Sequence, residues 1–172
     1  MAIRRRGALL VAAVTAVLAT AACTGEDKTV QPTQTKAQAA QRVEELIQEA
    51  FAQLPAGATL KVNIDVDSAP CDDPTDGGPA GRVFAEKRYL IVPPAGGGWP
   101  ADRAIPTLAA FWEQKGYRLH TDGRTEPEPR YSVETPDGYY VTLNSWDRGD
   151  HLDVSLSSDS PCVWENGTPD PQ

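Results

Sequence analysis

Histidine is nearly missing from this 172-residue chain, which carries only His120 and His151. That leaves few bases for proton transfer near neutral pH and few imidazole ligands for a transition metal. No G-x-S-x-G elbow, H-E-x-x-H pair or phosphate-cradling glycine loop occurs. Gly96-Gly97-Gly98 is flanked by prolines and Trp99 and reads as a connector. Basic residues are outnumbered, 16 against 24 acidic ones, for a formal charge of −8. So acidic a chain is a poor nucleic-acid binder and has no basic route to an anionic membrane surface. Long apolar runs are also lacking. The one that exists, Ala8 to Ala19, is well short of the roughly 20 residues a membrane-spanning helix needs.

That short run belongs to an organised N-terminus. Arg4, Arg5 and Arg6 precede it, and Thr20, Ala21 and Ala22 lead from it to Cys23. A basic start, a short apolar centre and small residues at a cut site make a secretory signal peptide over residues 1–22. Arg5-Arg6 faintly resembles a twin-arginine export signal, although three arginines in a row suit a plain basic region equally. Small residues directly before Cys23 resemble the lipobox of bacterial lipoproteins, with Thr20 standing where leucine is usual. The resemblance implies a diacylglyceryl group on the Cys23 thiol, palmitate-type acyl chains in the bilayer and a protein held on the extracytoplasmic face of the cell membrane. Two chains anchor far better than one, at about 0.8 kcal/mol per buried CH₂. The alternative is ordinary cleavage near Ala22 and a soluble secreted protein. Removal of three arginines and no acids takes the mature charge to −11, so the acyl chains are the expected membrane attachment.

The chain carries three cysteines. With Cys23 set apart, Cys71 and Cys162 remain, and outside the cytoplasm such a pair is most simply a disulfide. Two free thiols or a metal site are the alternatives, without C-x-x-C or histidine spacing to support them.

Residues 23–36 are polar and read as a flexible tether. Over 37–54, Val43, Leu46, Ile47, Ala50, Phe51 and Leu54 recur at helical steps until Pro55 and Gly57. Leu60, Val62, Ile64 and Val66 alternate with polar residues, which predicts a strand with one buried face. A Pro/Gly/Asp loop over 68–82 leads to a strand over 83–92. Asp102 is the expected N-cap of a second helix, with Pro106 in its first turn, an apolar stripe of Ile105, Leu108 and Trp112, and Gly116 as the left-handed residue after its end. Four short strands follow. The third of them places Tyr139, Val141 and Leu143 on one face. The pattern is α+β: two helices on one face of a mostly antiparallel sheet of about six strands, order α-β-β-α-β-β-β-β, over residues 37–164, with a disordered tail over 165–172. The disulfide is expected to tie the ends of this sheet together.

Candidate chemistry is sparse. His151 lies near Asp147, Asp150 and Asp153, which could form a base with an orienting carboxylate or a solvated turn. Asp65, Asp67, Asp72, Asp73 and Asp76 could suit Ca²⁺, but their spacing is not that of an EF-hand. No metal and no cofactor is expected. Of the four tryptophans, Trp99, Trp112, Trp146 and Trp164, Trp112 reads as core. Tyr140 and Trp146 share a strand parity opposite to Tyr139, so they are expected on the open face of the sheet as a possible binding face.

Three motifs carry a wider resemblance: Trp112-x-x-x-Gly116-Tyr117, Thr135-x-Asp137-Gly138-Tyr139 and Ser160-Pro-Cys162-Val-Trp164. Over about a third of its length the chain resembles small actinobacterial lipoproteins, a group of unknown function. The resemblance implies export and a Cys71–Cys162 bond and brings no catalytic residues. The expectation is a non-enzymatic binding domain in the cell envelope, with an envelope protein or cell-wall ligand as partner and no nucleic acid. An enzyme or enzyme accessory using the 147–153 turn is the alternative.

Overall fold

In this computed structural model, residues 34–71, 81–94 and 101–168 are described. The leader, Cys23, Asp72, Asp73, Asp76, residues 96–98, Trp99 and residues 169–172 lie outside them. Helix α1 (Lys36–Phe51) begins at a reciprocal cap. Thr35 Oγ1 accepts from the Gln38 N–H at 3.3 Å, and Gln38 Oε1 accepts from the Thr35 N–H at 2.9 Å. Its Ala39, Val43, Leu46, Ile47 and Ala50 stripe is buried. Contacts with α1 extend past Trp164, where the Glu165 carbonyl accepts from the Lys36 N–H at 3.2 Å.

Helix α2 (Ala101–Gln114) begins one residue before Asp102, so Asp102 lies within the first turn and is not the cap. Pro106 is then its sixth residue, not part of its first turn. The missing N–H deprives the Asp102 carbonyl of its partner, but Pro106 is exposed, so the cost falls at the surface. The helix ends in a Schellman turn. The Tyr117 N–H reaches the Trp112 carbonyl and the Gly116 N–H the Glu113 carbonyl, both at 3.0 Å, with Gly116 at φ 73°. That geometry is the physical content of the W-x-x-x-G-Y motif.

The strands are β1 (Thr59–Pro70), β2 (Arg82–Val92), β3 (Arg118–Gly123), β4 (Arg130–Glu134), β5 (Tyr140–Asp147), β6 (Leu152–Asp159) and the two-residue β7 (Val163–Trp164). They form one antiparallel sheet in the order β1-β2-β6-β5-β4-β3, with β7 pairing with β2 beyond the end of β6. Both helices pack on one face, as the pattern predicts. Val43, Leu46, Ile47, Leu108 and Trp112 meet Tyr131, Val133, Tyr139, Val141, Leu143 and Leu156 in a single core. The T-P-D-G-Y segment turns β4 into β5 with Gly138 at φ 84°. There Thr135 Oγ1 accepts from the Tyr139 N–H at 2.9 Å, and Tyr139 is fully buried.

Two expectations are corrected. The alternation in β1 does not give one buried face. The register shifts between Val62 and Ile64, so Leu60 and Val62 lie opposite Ile91 and Tyr89, whereas Ile64 and Val66 lie opposite Arg88 and Glu86. One extra residue moves those that follow to the other face, as far as a second shift between Val66 and Ala69. Asp65 thereby lands on the helix side and pairs with Lys87 at 3.1 Å. At the sheet edge Val62 and Val66 stay 56% and 38% exposed. The disulfide forms between Cys71 and Cys162, with Cα atoms 6.0 Å apart. It does not join the two edges of the sheet. Because the strand last in sequence before Cys162, β6, lies mid-sheet, the bond links edge strand β1 to the β6–β7 line across the start of β2.

Candidate functional site

Strand parity gives the sheet face without helices its composition. It presents Glu86, Arg88 and Leu90 from β2, Asp153, Ser155, Ser157 and Asp159 from β6, Tyr140, Thr142, Asn144 and Trp146 from β5, and Arg130, Ser132 and Glu134 from β4. Tyr140 and Trp146 do share this face. Six residues of strand nonetheless hold them about 20 Å apart, so they are separate places and not one aromatic patch. Between them the face is small and polar. Ser132 and Thr142 hydroxyls bond at 2.7 Å, and Ser155 is fully buried with no partner for its hydroxyl among the described residues.

At the Tyr140 end, one row crosses the sheet: Glu86, Asp159, Tyr140, Glu134 and Arg118. Arg118 pairs with Glu134, and the His120 ring meets the Tyr140 ring edge-on, centroids 4.8 Å apart. Asp159 and Glu86 face each other as like charges, with Arg88 held on Glu86 at 3.2 Å. Burial, reinforced by Glu86 and only partly offset by Arg88, pushes the Asp159 carboxyl up to about 6. In the unfolded chain it titrates near about 3.9. The folded state therefore binds this proton more tightly, and stability falls as pH rises through about 4 to 6 and stays lowered above that. Asp159→Asn is expected to stabilise the domain by up to about 2–3 kcal/mol at pH about 7.5 and to change little at pH about 3.5. Urea unfolding at the two pH values measures this, and an equal gain at both would contradict it.

At the other end, Trp146 borders a pocket of about 570 Å³. Its other lining residues are Glu126, Pro127, Glu128, Arg130, Asn144 and Ser145, from the β3–β4 loop, β4 and β5. The loop is tied down at several points. Pro129 O accepts from Ser145 Oγ at 2.7 Å and from the Ser145 N–H at 3.0 Å, and Glu128 Oε1 accepts from the Asp147 N–H at 3.2 Å. Arg130 and Glu126 form an ion pair at 3.5 Å. Gly123 makes room for them, since a Cβ there would sit 2.8 Å from Arg130 Cγ and 3.0 Å from Glu126 Cδ. Trp146 is half-buried.

His151 is elsewhere, at the tip of the β5–β6 hairpin. Its Nδ1 lies 2.7 Å from Asp150 Oδ1 and its Nε2 3.4 Å from Asp153 Oδ1. The Asp150 hydrogen bond raises the His151 pKa above its ordinary value. Its side chain is 60% exposed and that of Asp150 87%, and neither borders the Trp146 pocket. Trp112 is core, stacked on Tyr131 with centroids 6.1 Å apart. Among the described residues no cluster of three or more acidic, histidine or cysteine side chains could hold a metal, and no helix is long and apolar enough to cross a membrane.

The residues that sequence reasoning missed are those that other strands bring in: Asp159 with Glu86, and Glu126, Glu128, Arg130 and Asn144 around Trp146. Asn144 was readable from its parity with Trp146. The others depend on cross-strand register and on the path of a loop, which no local pattern encodes. No protein-family model, curated protein or solved structure matches the chain.

Proposed function

We propose that this protein is an exported lipoprotein, held by acyl chains on Cys23 at the extracytoplasmic face of the membrane, whose domain binds an envelope protein or cell-wall ligand without catalysing a reaction. The observation that carries the binding half is the sheet face free of both helices, with Tyr140 at one end and a pocket beside Trp146 at the other. The three-arginine start, the short apolar run and the small residues before Cys23 support the anchor. The acidic body leaves the acyl chains as its means of staying at the membrane. The exposed setting of His151 speaks for a solvated turn and against a reaction centre there.

Crosslinking in intact cells, followed by fractionation and mass spectrometry, tests both halves. The intact protein is expected in the membrane fraction with a reproducible crosslinked partner. Tyr140→Ala combined with Trp146→Ala should stay folded and lose about tenfold or more of that product, the scale of losing an aromatic anchor. Unchanged recovery would remove the binding face. Retention of Cys23→Ala in the membrane fraction would remove the anchor.

A further inference from the structure

The Trp146 pocket is specific enough in its chemistry to name a ligand class. Its volume, about 570 Å³, falls within the roughly 300–1,000 Å³ of small-molecule sites. Its polar groups divide into spent and unspent. Arg130 Nε pairs with Glu126 Oε2 at 3.5 Å, which leaves the other guanidinium N–H groups as donors. Glu128 has one oxygen occupied by the Asp147 N–H and keeps the other as an acceptor. Neither the Asn144 amide nor the Trp146 indole N–H has a partner among the described residues. These two side chains are two positions apart on one face of β5, about 7 Å from each other.

Such a set offers one aromatic face, one amide that both donates and accepts, a carboxylate acceptor and a guanidinium donor. An anionic ligand would meet Glu126 and Glu128 in a domain of strongly negative charge. A cationic ligand, although drawn by the negative domain, would meet the Arg130 guanidinium in the pocket and leave the N–H donors of Arg130, Asn144 and Trp146 without an acceptor. A neutral ligand with an apolar face and a rim of hydroxyls suits the aromatic face, the amide and the free carboxylate oxygen together. Its C–H face lies on the indole, while adjacent hydroxyls donate to Glu128 and exchange both kinds of hydrogen bond with Asn144. A pyranose ring has that construction.

We infer that the pocket between the β3–β4 loop and the end of β5 binds a neutral pyranose unit of a glycan, with Trp146 as its stacking platform and Asn144 and Glu128 as its hydroxyl partners. This rests on the proposed binding role of the open sheet face and names the ligand for one end of it.

The test uses the full mature protein, purified in a detergent without a sugar headgroup. Chitotetraose and cellotetraose serve as neutral probes, with glucose 6-phosphate and spermidine as anionic and cationic comparisons. Binding is read by tryptophan fluorescence and saturation-transfer NMR. At least one tetrasaccharide is expected to saturate at about 1 mM or below, a modest affinity for so open a site. Trp146→Ala should weaken it at least about tenfold, whereas Trp146→Phe, which keeps an aromatic face, should stay within about threefold. Asn144→Ala removes a side chain without a hydrogen-bond partner among the described residues, so it should weaken binding in a protein that still folds normally. Absence of saccharide binding, binding that survives both Trp146→Ala and Asn144→Ala, or preference for spermidine or glucose 6-phosphate would overturn the inference. A crosslinked protein partner that depends on Tyr140 and Trp146, found without any saccharide binding, would sink the glycan assignment and leave the binding face standing.

Discussion

Replacing Cys71 and Cys162 together by alanine is expected to cost about 4–5 kcal/mol of unfolding free energy, the scale of closing a loop of about 90 residues in the denatured chain. The two cysteines are 91 residues apart in sequence and 6.0 Å apart at Cα, a separation that ordinary disulfide geometry accommodates. Domains of this size hold only about 5–15 kcal/mol in all, so the loss is a large share of the total. The position adds to the effect. The bond fastens the far end of β1, an edge strand with two register shifts and exposed valines, to β7 on the other side of β2. Without it the end of β1 rests on its pairing with β2 near Pro70 and Val83 and on the Cys71 N–H to Arg82 carbonyl bond. Urea unfolding of the oxidised protein, the reduced protein and the double variant measures the effect. Reduction should bring the native protein close to the variant, and the slope of free energy against urea should steepen as the denatured chain expands. A difference below about 1 kcal/mol would mean that the crosslink is thermodynamically idle.

Trp112→Ala is expected to cost about 3–5 kcal/mol, because it empties a large side-chain site that the core cannot refill. Trp112 is 1% exposed and lies nearly parallel to the Tyr131 ring, at 5° and 6.1 Å between centroids. Its carbonyl takes the Tyr117 N–H in the turn that ends α2. That bond is made by the backbone and survives the substitution, so the loss measures packing and not capping. Phe111→Ala, beside it but only partly buried, serves as the comparison and should cost clearly less. Chemical unfolding measures both. Equal losses at the two positions, or a loss under about 1.5 kcal/mol for Trp112→Ala, would contradict Trp112 as the packing centre of this end of the core.

The motifs that the sequence displays are mostly structural instructions. W-x-x-x-G-Y writes a helix stop, T-P-D-G-Y a hairpin, and S-P-C-V-W a return to the sheet. In that return Ser160 Oγ accepts from the Ala85 N–H at 2.9 Å, Cys162 bonds to Cys71, and Val163 and Trp164 pair with β2. The first two are local, so their residues could be read without knowing what lies beside them; the third makes its contacts with residues 75 or more positions earlier, and its pairing with β2 was not expected from a stretch that reads as the start of a polar tail. The candidate site is different in kind. Trp146 and Tyr140 were visible as open-face residues because alternation along one strand sets the face. Their separation into two places was also implicit in six residues of strand. What surrounds each of them was not. Asp159 meets Glu86 only because β6 pairs with β2, a neighbour far earlier in the chain.

By itself the sequence determined the element order, the face each helix buries, the inward row of β5 and the pairing of Cys71 with Cys162. These follow from periodicity, turn chemistry and cysteine arithmetic, which act over a few residues or by counting. Only the tertiary structure decided that β6 sits mid-sheet, so that the disulfide spans one end of β2 and does not join the two edges. It also decided that one extra residue in β1 sends Ile64 and Val66 to the opposite face from Leu60 and Val62. And it decided that a tied-down loop places Glu126, Glu128 and Arg130 beside Trp146. The physical reason is common to all three. Strand register and strand order are set by the best simultaneous burial of every element, and that optimum is not a property of any single stretch.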